Sequence, residues 1–421
     1  MGSATLAAVP QPVQQSPALA DLERVYRTEA AQLRGALAHR LGDLDLAEEL
    51  LQEALVEAAE HWPVAGVPAN PGGWLATTAK RKGIDRLRRE RAGREKLALI
   101  AQGWSGPVAD PDDLLGLIFA CCSPELPRES QVALTLRSVC GLTTAEVAAA
   151  HLQPEATMSQ RLTRAKRLLQ ERGVRFAVPD PDEFGGRLDE VLGVVYLLFN
   201  EGYLTSGRHE PARHDLAATA QWLAGLLHRL MPREPEVLGL RALIILHQAR
   251  AATRFDGWGR LIQLADQDRA RWDRAAINSA VELLDTALAM RRPGSYQLQA
   301  AIAALHAQSA SYAETDWRQI QLLYDRLDQL TPSPVVRLNR AVATRYTQGA
   351  AVALAELDAL EKDLRDYRLW HAVRGELLRE LDRSEEATLA DKRALELATN
   401  PAERELLARR LGQSWSTSPG P

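Results

Sequence analysis

Thr157, Gln160, Arg161 and Arg164 recur at i, i+3, i+4 and i+7 within "TMSQRLTRAKRLLQ". That spacing puts hydroxyl, amide and guanidinium groups on one face of a helix. Amides and guanidiniums pair with base edges and cations with phosphates, so such a face suits a DNA major groove. Met158, Leu162, Ala165 and Leu169 follow i, i+4, i+7 and i+11 and predict the opposite, buried face. Upstream, "GLTTAEVAAAHLQP" opens a helix with a Thr143–Glu146 capping box. Ala148 and Ala149 are small enough for a close helix crossing, and "HLQP" turns the chain. Two helices, a tight turn and a polar second helix read as a helix-turn-helix. A solvated helix is the plainer alternative.

A second group is acidic. In "GDLDLAEELLQEALVEAAEHW" Leu46, Leu50, Ala54 and Ala58 form an apolar stripe. Asp45, Glu49 and Gln52 share another face, with Glu48 and Glu53 beside them. Such a face repels phosphate, so it is expected to meet something basic or to be merely solvated. "NPGGWLATTAKRKGIDRLRRERAGR" follows. Asn70, Pro71, Gly72 and Gly73 start its helix, Trp74 and Leu75 pack, and Ile84 and Leu87 continue the apolar side. Arg81, Asp85 and Arg88 share the exposed face. From Lys80 to Lys96 there are nine basic and three acidic residues, in a chain of net charge −4. The clustering, not the total, carries information about partners.

Helices must position these groups. The chain has 421 residues, 46% of them hydrophobic, is rich in Ala, Leu, Arg and Glu, and lacks β-branched runs. It is expected to be all-α and to hold several domains. "GWSGPVADPDD" and "GVRFAVPDPDEF" mark boundaries. The expected order is a disordered leader (1–20), a helical block (21–95), a linker (96–113), a second block with the helix-turn-helix (114–175) and a long helical array (186–412). In the array, segments from Arg340 and His371 superpose at an offset of 31 residues, Ala341 on Ala372. This resembles the tetratricopeptide pattern. Cys121, Cys122 and Cys140 match no common zinc spacing; they read as buried thiols in a reducing cytoplasm. The leader has no basic n-region, and the run Val191–Phe199 is too short to span a bilayer. No membrane, metal or cofactor is expected.

The order acidic helix, loop, "WLATTAKRKGIDRLRR", linker, then "SQRLTRAKRLL" resembles bacterial RNA polymerase sigma factors of the extracytoplasmic-function type, over about Leu22 to Arg172. The resemblance implies region 2 in the first block and region 4 in the second. It implies contact with the polymerase clamp helices through Asp45, Glu48, Glu49, Gln52 and Glu53, with the flap as a further polymerase contact. It implies that Trp74, Lys80, Arg81, Lys82, Asp85, Arg88 and Arg89 hold −10 DNA. The loop His61–Gly73 would lie near the flipped base. Thr157, Ser159, Gln160, Arg161, Arg164 and Lys166 would read the −35 element. Where members often carry Asn in "A-R-N" this chain has Arg81, so typical promoter preferences do not transfer.

"LDEVLGVVYLLFNEGYLTSG", "SPVVRLNRAVA" and "ELATNPAERELLARRL" resemble the subgroup with a long C-terminal tetratricopeptide-like extension. There the extension is thought to replace a separate anti-sigma factor, and a regulatory protein or ligand at the repeats is implied. In "FNEGY", Asn200, Glu201, Gly202 and Tyr203 are expected to make interdomain or regulatory contacts. Alternatively, Gly202 only ends a helix as its C′ residue. The expected function is promoter recognition for core polymerase, without catalysis by this chain. The rival is a conventional helix-turn-helix regulator with a repeat-protein sensor, which has no use for the acidic helix.

Overall fold

The computed structural model describes residues 17–89, 110–151, 153–203 and 214–412. The fold is all-α. Contacts divide it into two units, Met1–Val191 and Leu192–Pro421.

In the first unit α1 (Pro17–Leu41) packs on α2 (Leu44–Ala65), and α2 packs on α3 (Pro71–Arg89). Helix α1 begins inside the expected leader, with Pro17 at its first position, where a missing N–H costs nothing. Residues 1–16 of that leader lie outside the described residues. Gly42 (φ 64°) closes α1, its N–H donating to the Ala38 carbonyl at 2.9 Å. Asp43 then N-caps α2, accepting from the Leu46 N–H at 3.1 Å.

The buried stripe of α2 is Leu44, Ala47, Leu51, Ala54 and Ala58, with Leu50 beside it. Leu46, expected in that stripe, sits at its half-buried edge. The expected loop His61–Gly73 is also shorter. Helix α2 runs through Pro63 to Ala65 and stops where Gly66 (φ 84°) donates to the Trp62 carbonyl. Asn70 then caps α3, its Oδ1 accepting from the Gly73 N–H at 2.9 Å.

The remaining helices of this unit are α4 (Pro111–Cys121), α5 (Arg128–Ser138), α6 (Thr144–Ala150), α7 (Glu155–Glu171) and the start of α8 (Pro181–Tyr203). Much of the expected linker lies outside the described residues; its last three positions already belong to α4, which Asp110 and Asp113 cap reciprocally. Helix α1 also packs on α4. At the crossing, a Cβ on Gly35 would stand 2.6 Å from the Asp113 carbonyl oxygen, so no side chain fits there. Leu117, Ile118, Phe119, Leu134, Leu136 and Met158 fill the core around α4 to α7. Cys121 and Cys122 lie in it as apolar groups, whereas Cys140, expected to be buried with them, is half-buried.

The second unit holds the rest of α8, then α9 (His214–Leu230), α10 (Pro235–Gln248), α11 (Arg274–Ala289), α12 (Ser295–Gln308), α13 (Trp317–Leu330), α14 (Pro334–Gln348), α15 (Ala350–Asp358), α16 (Glu361–Leu364), α17 (Arg368–Glu380), α18 (Ser384–Leu397) and α19 (Pro401–Arg410). Helix α10 is apolar almost all round and packs between α9, α11 and α12. Glu236 on α10 caps α12, accepting from the Tyr296 and Gln297 N–H groups at 3.0 and 3.1 Å.

Buried positions of α14 to α16 recur in α17 to α18 at a spacing of 34 residues: Ala343 with Leu377, Ala353 with Ala387, Leu360 with Ala394. The expected offset of 31 pairs buried Ala341 with half-buried Ala372 and is corrected accordingly. Among the described residues no helix is long and apolar enough to cross a membrane.

Candidate nucleic-acid interface

The helix-turn-helix forms as its residues dictate. The Thr143 Oγ1 accepts from the Glu146 N–H at 3.2 Å, and a Glu146 carboxylate oxygen accepts from the Thr143 N–H at 2.7 Å. Ala148 is buried; Ala149, expected beside it at the crossing, faces outward. The reason is the 100° step per residue, which brings Val147 and Ala148 inward and carries the next position away. On α7 the buried residues are Met158, Leu162, Ala165 and Leu169, the four expected. Thr157, Ser159, Gln160 and Arg164 lie exposed on the remaining surface. Arg161 is half-buried and pairs with Glu129 at 2.9 Å.

Lys166 does not join the exposed set. Its Nζ donates to Asp45 Oδ1 at 2.8 Å and to Glu48 Oε2 at 2.7 Å. Asp45, Glu48, Glu49, Gln52 and Glu53 line one shallow depression together with Lys166. The acidic set and one member of the basic set thus occupy the same place. Gln170, one turn further along α7, reaches Asp43 Oδ2 at 3.4 Å.

Glu48 is the centre of this contact, with 15% of its side chain exposed against 14% for Lys166. Ser138 Oγ donates to Glu48 Oε1 at 3.1 Å, and Arg34 Nε lies 3.5 Å from the same oxygen. Arg34 also donates to the Ser138 carbonyl. Burial pushes the Glu48 carboxyl up, but the Lys166 and Arg34 charges outweigh it and hold the group below the usual glutamate range. Burial pulls Lys166 down, and Glu48 and Asp45 reverse this, raising it above an ordinary lysine. Arg34, only 4% exposed, was not expected at this site. Its sequence signal is one cation inside the apolar run of α1, "AAQLRGALA".

Three cations of the basic helix α3 are likewise paired with α2. Arg81 pairs with Glu57, and Lys82 approaches the same carboxylate at 3.0 Å. Arg86 pairs with Glu49. Hydrogen bonds from Lys82 and Arg81 lower the Glu57 pKa against a weak opposing burial. Trp74 is half-buried, 5.7 Å from the Trp62 ring and 6.4 Å from His61. Lys80 is half-buried and Asp85 exposed. The side chains of Arg88 and Arg89, and the charged stretch after Arg89, lie outside the described residues.

In the second unit Asn200 is exposed and Glu201 half-buried. Gly202 does not end a helix as a C′ residue. It lies within α8, where an added Cβ would stand 2.2 Å from the Ala217 backbone nitrogen, so it permits a close approach of α9. Tyr203 stacks on Phe199 at 5.3 Å and carries the Arg254 guanidinium 3.4 Å above its ring. Among the described residues no group of three His, Cys, Asp or Glu side chains is placed to hold a metal ion.

Comparison with known proteins assigns these elements. Residues 25–93 match sigma-70 region 2 and residues 117–169 match sigma-70, region 4. Residues 187–288 match a family of unknown function, DUF6596. An uncharacterized protein of Rhizobium meliloti (strain 1021) is 44% identical over 383 residues, 88% of this chain and 90% of its own length. The ECF RNA polymerase sigma factor SigL of Mycobacterium tuberculosis is 33% identical over 162 residues, 36% of this chain and 91% of its own length. No solved structure matches the chain.

Proposed function

Because the chain belongs to the family of sigma-70 RNA polymerase sigma factors, we propose that it binds core RNA polymerase and directs it to promoters as a member of the extracytoplasmic-function type. The observation that carries this reading is the pairing of two matched regions, in order, with an acidic depression on the first and a polar recognition face on the second. A conventional regulator needs only the second.

In this reading Asp45, Glu48, Glu49, Gln52 and Glu53 dock on the polymerase clamp. Helix α3 holds the −10 element through its cations, and Thr157, Ser159, Gln160, Arg161 and Arg164 read the −35 element. Phosphate contacts supply affinity that falls with salt; base contacts supply specificity. A flipped −10 base costs a few kcal/mol to extrude, which the Gly66–Asn70 loop and Trp74 must offset. The polymerase carries out the chemistry. Lys166 serves twice: free of the depression it meets −35 phosphate, and seated in it, it masks the docking acids. The chain alone therefore rests closed, and the polymerase opens it. The C-terminal helices regulate that opening, and their 34-residue spacing supports a tetratricopeptide-like array.

The test is gel filtration and run-off transcription with purified core polymerase and the full chain. Co-elution and promoter-dependent transcripts are expected, with weak duplex binding by the chain alone. Tight, specific duplex binding without polymerase, and no co-elution, would establish the conventional regulator instead.

A further inference from the structure

The second unit encloses a cavity of about 550 Å³ between α10, α11, α12, α13 and α14. That volume lies within the range of small-molecule sites. Its floor is built from buried apolar groups, among them Leu243, Leu246 and Trp272. Tyr196 and Tyr296 meet edge to face at 5.5 Å in one wall. Exposed Thr331, Val335 and Asn339 form a rim open to solvent. The cavity is therefore reachable and mostly apolar, with Tyr196, Trp272, Tyr296 and Tyr324 supplying aromatic faces, a lining that fits a flat apolar body.

Its charge is one-sided. Among the described residues Arg250 is the one cation in the lining, and no carboxylate lines it. Arg250 donates to His247 Nδ1 at 3.0 Å, a neutral acceptor, and lies 5.8 Å from the Tyr203 ring; among the described residues no carboxylate pairs with it. Two imidazoles, His247 and His306, also line the cavity. Burial, reinforced by the Arg250 charge, pulls His247 far below the ordinary histidine value and His306 down to about 4. Both are neutral at physiological pH. The His306 Nδ1 is buried without a hydrogen-bond partner among the described residues. A half-buried guanidinium facing an aromatic cavity gains most from an anion that brings its own apolar body.

We propose that this cavity binds a small monoanion of the aromatic carboxylate class, its carboxylate on Arg250 and its ring against Tyr196, Tyr296 and Trp272. Nothing in the site requires the chain to act on a polymerase, so binding stands or falls independently of the function proposed above. The cavity spans the DUF6596 segment and the helices after it, so the second unit would carry a chemical input of its own.

Calorimetry on the full chain tests this with naphthalene-1-carboxylate, and with naphthalene-1-carboxamide as the neutral isostere. The carboxylate is expected to bind one to one and about tenfold more tightly than the amide. Arg250→Met is expected to remove that preference while leaving the amide unchanged, and Arg250→Lys to restore part of it. Ala303→Phe, which fills the cavity from α12, is expected to abolish both. Equal affinity for the two probes in the unaltered chain overturns the proposal without any variant. So does undetectable carboxylate binding at millimolar concentration, or binding that survives in a folded Ala303→Phe chain.

Discussion

Lys166 Nζ and Glu48 Oε2 stand 2.7 Å apart, joining helices whose residues are 118 positions distant in sequence. One partner belongs to the face expected to read DNA and the other to the face expected to meet polymerase. While the pair holds, Lys166 is withheld from the first face and Glu48 from the second.

Lys166→Met should therefore favour the open form. Core polymerase is expected to bind the variant more tightly, roughly tenfold at most, because Arg34 still holds Glu48. Surface-immobilised core polymerase and a concentration series of each chain check this. The same variant should bind −35 duplex less well, since one phosphate contact is gone. Unaltered polymerase affinity would remove the masking role.

The contact has a defined pH window. The folded Glu48 pKa lies below its unfolded value, so its contribution is complete above the ordinary glutamate range and is lost as pH falls through the folded value. The folded Lys166 pKa lies above its unfolded value, so its contribution is complete below the ordinary lysine range and is lost as pH rises through the folded value. The contact is at full strength across neutral pH and loosens first in acid. Carbon-detected titration of the Glu48 carboxyl should give a midpoint below that of a free glutamate. Lys166→Met should move it upward, and a midpoint indifferent to that substitution contradicts the pairing.

Gly202 separates two structural roles by substitution. A Cβ 2.2 Å from the Ala217 nitrogen forces α8 and α9 apart, so Gly202→Ala should cost about 1–3 kcal/mol in urea unfolding. Gly202→Asn should cost more still. A helix-ending glycine would behave oppositely, with Asn tolerated better than Ala.

The cysteines should be silent in the native chain. Burial pushes the Cys121 thiol well above its ordinary value, and Cys122 and Cys140 up to about 12. Ellman's reagent at pH 8 is expected to find almost no reactive thiol over minutes, and three after urea. Fast native reaction of one thiol would place it in an open environment.

Local rules made much of this legible. Met158, Leu162, Ala165 and Leu169 were readable from their period, and Thr143 with Glu146 from their spacing, because both depend on one helix alone. The seating of Lys166 on Asp45 and Glu48 was not, since pattern within a helix says nothing about which distant helix covers it. The repeat register was obscured by a polar residue at a core position: Asp391 is fully buried where Leu357 sits one repeat earlier, held there by Arg379. Without its partners in view, Asp391 reads as surface. Leu46 and Ala149 show the same limit at helix edges, where one step around the axis decides burial.

The ammonium in the depression has one more effect. Any partner that takes its place must present a cation of its own, so docking is an exchange of like for like. The charge on the acidic face is the same before and after, and few counterions are freed by the swap. The exchange at Glu48 should therefore add little salt dependence beyond that of exposed Asp45, Glu49 and Glu53, and Lys166→Met should make association more steeply dependent on ionic strength.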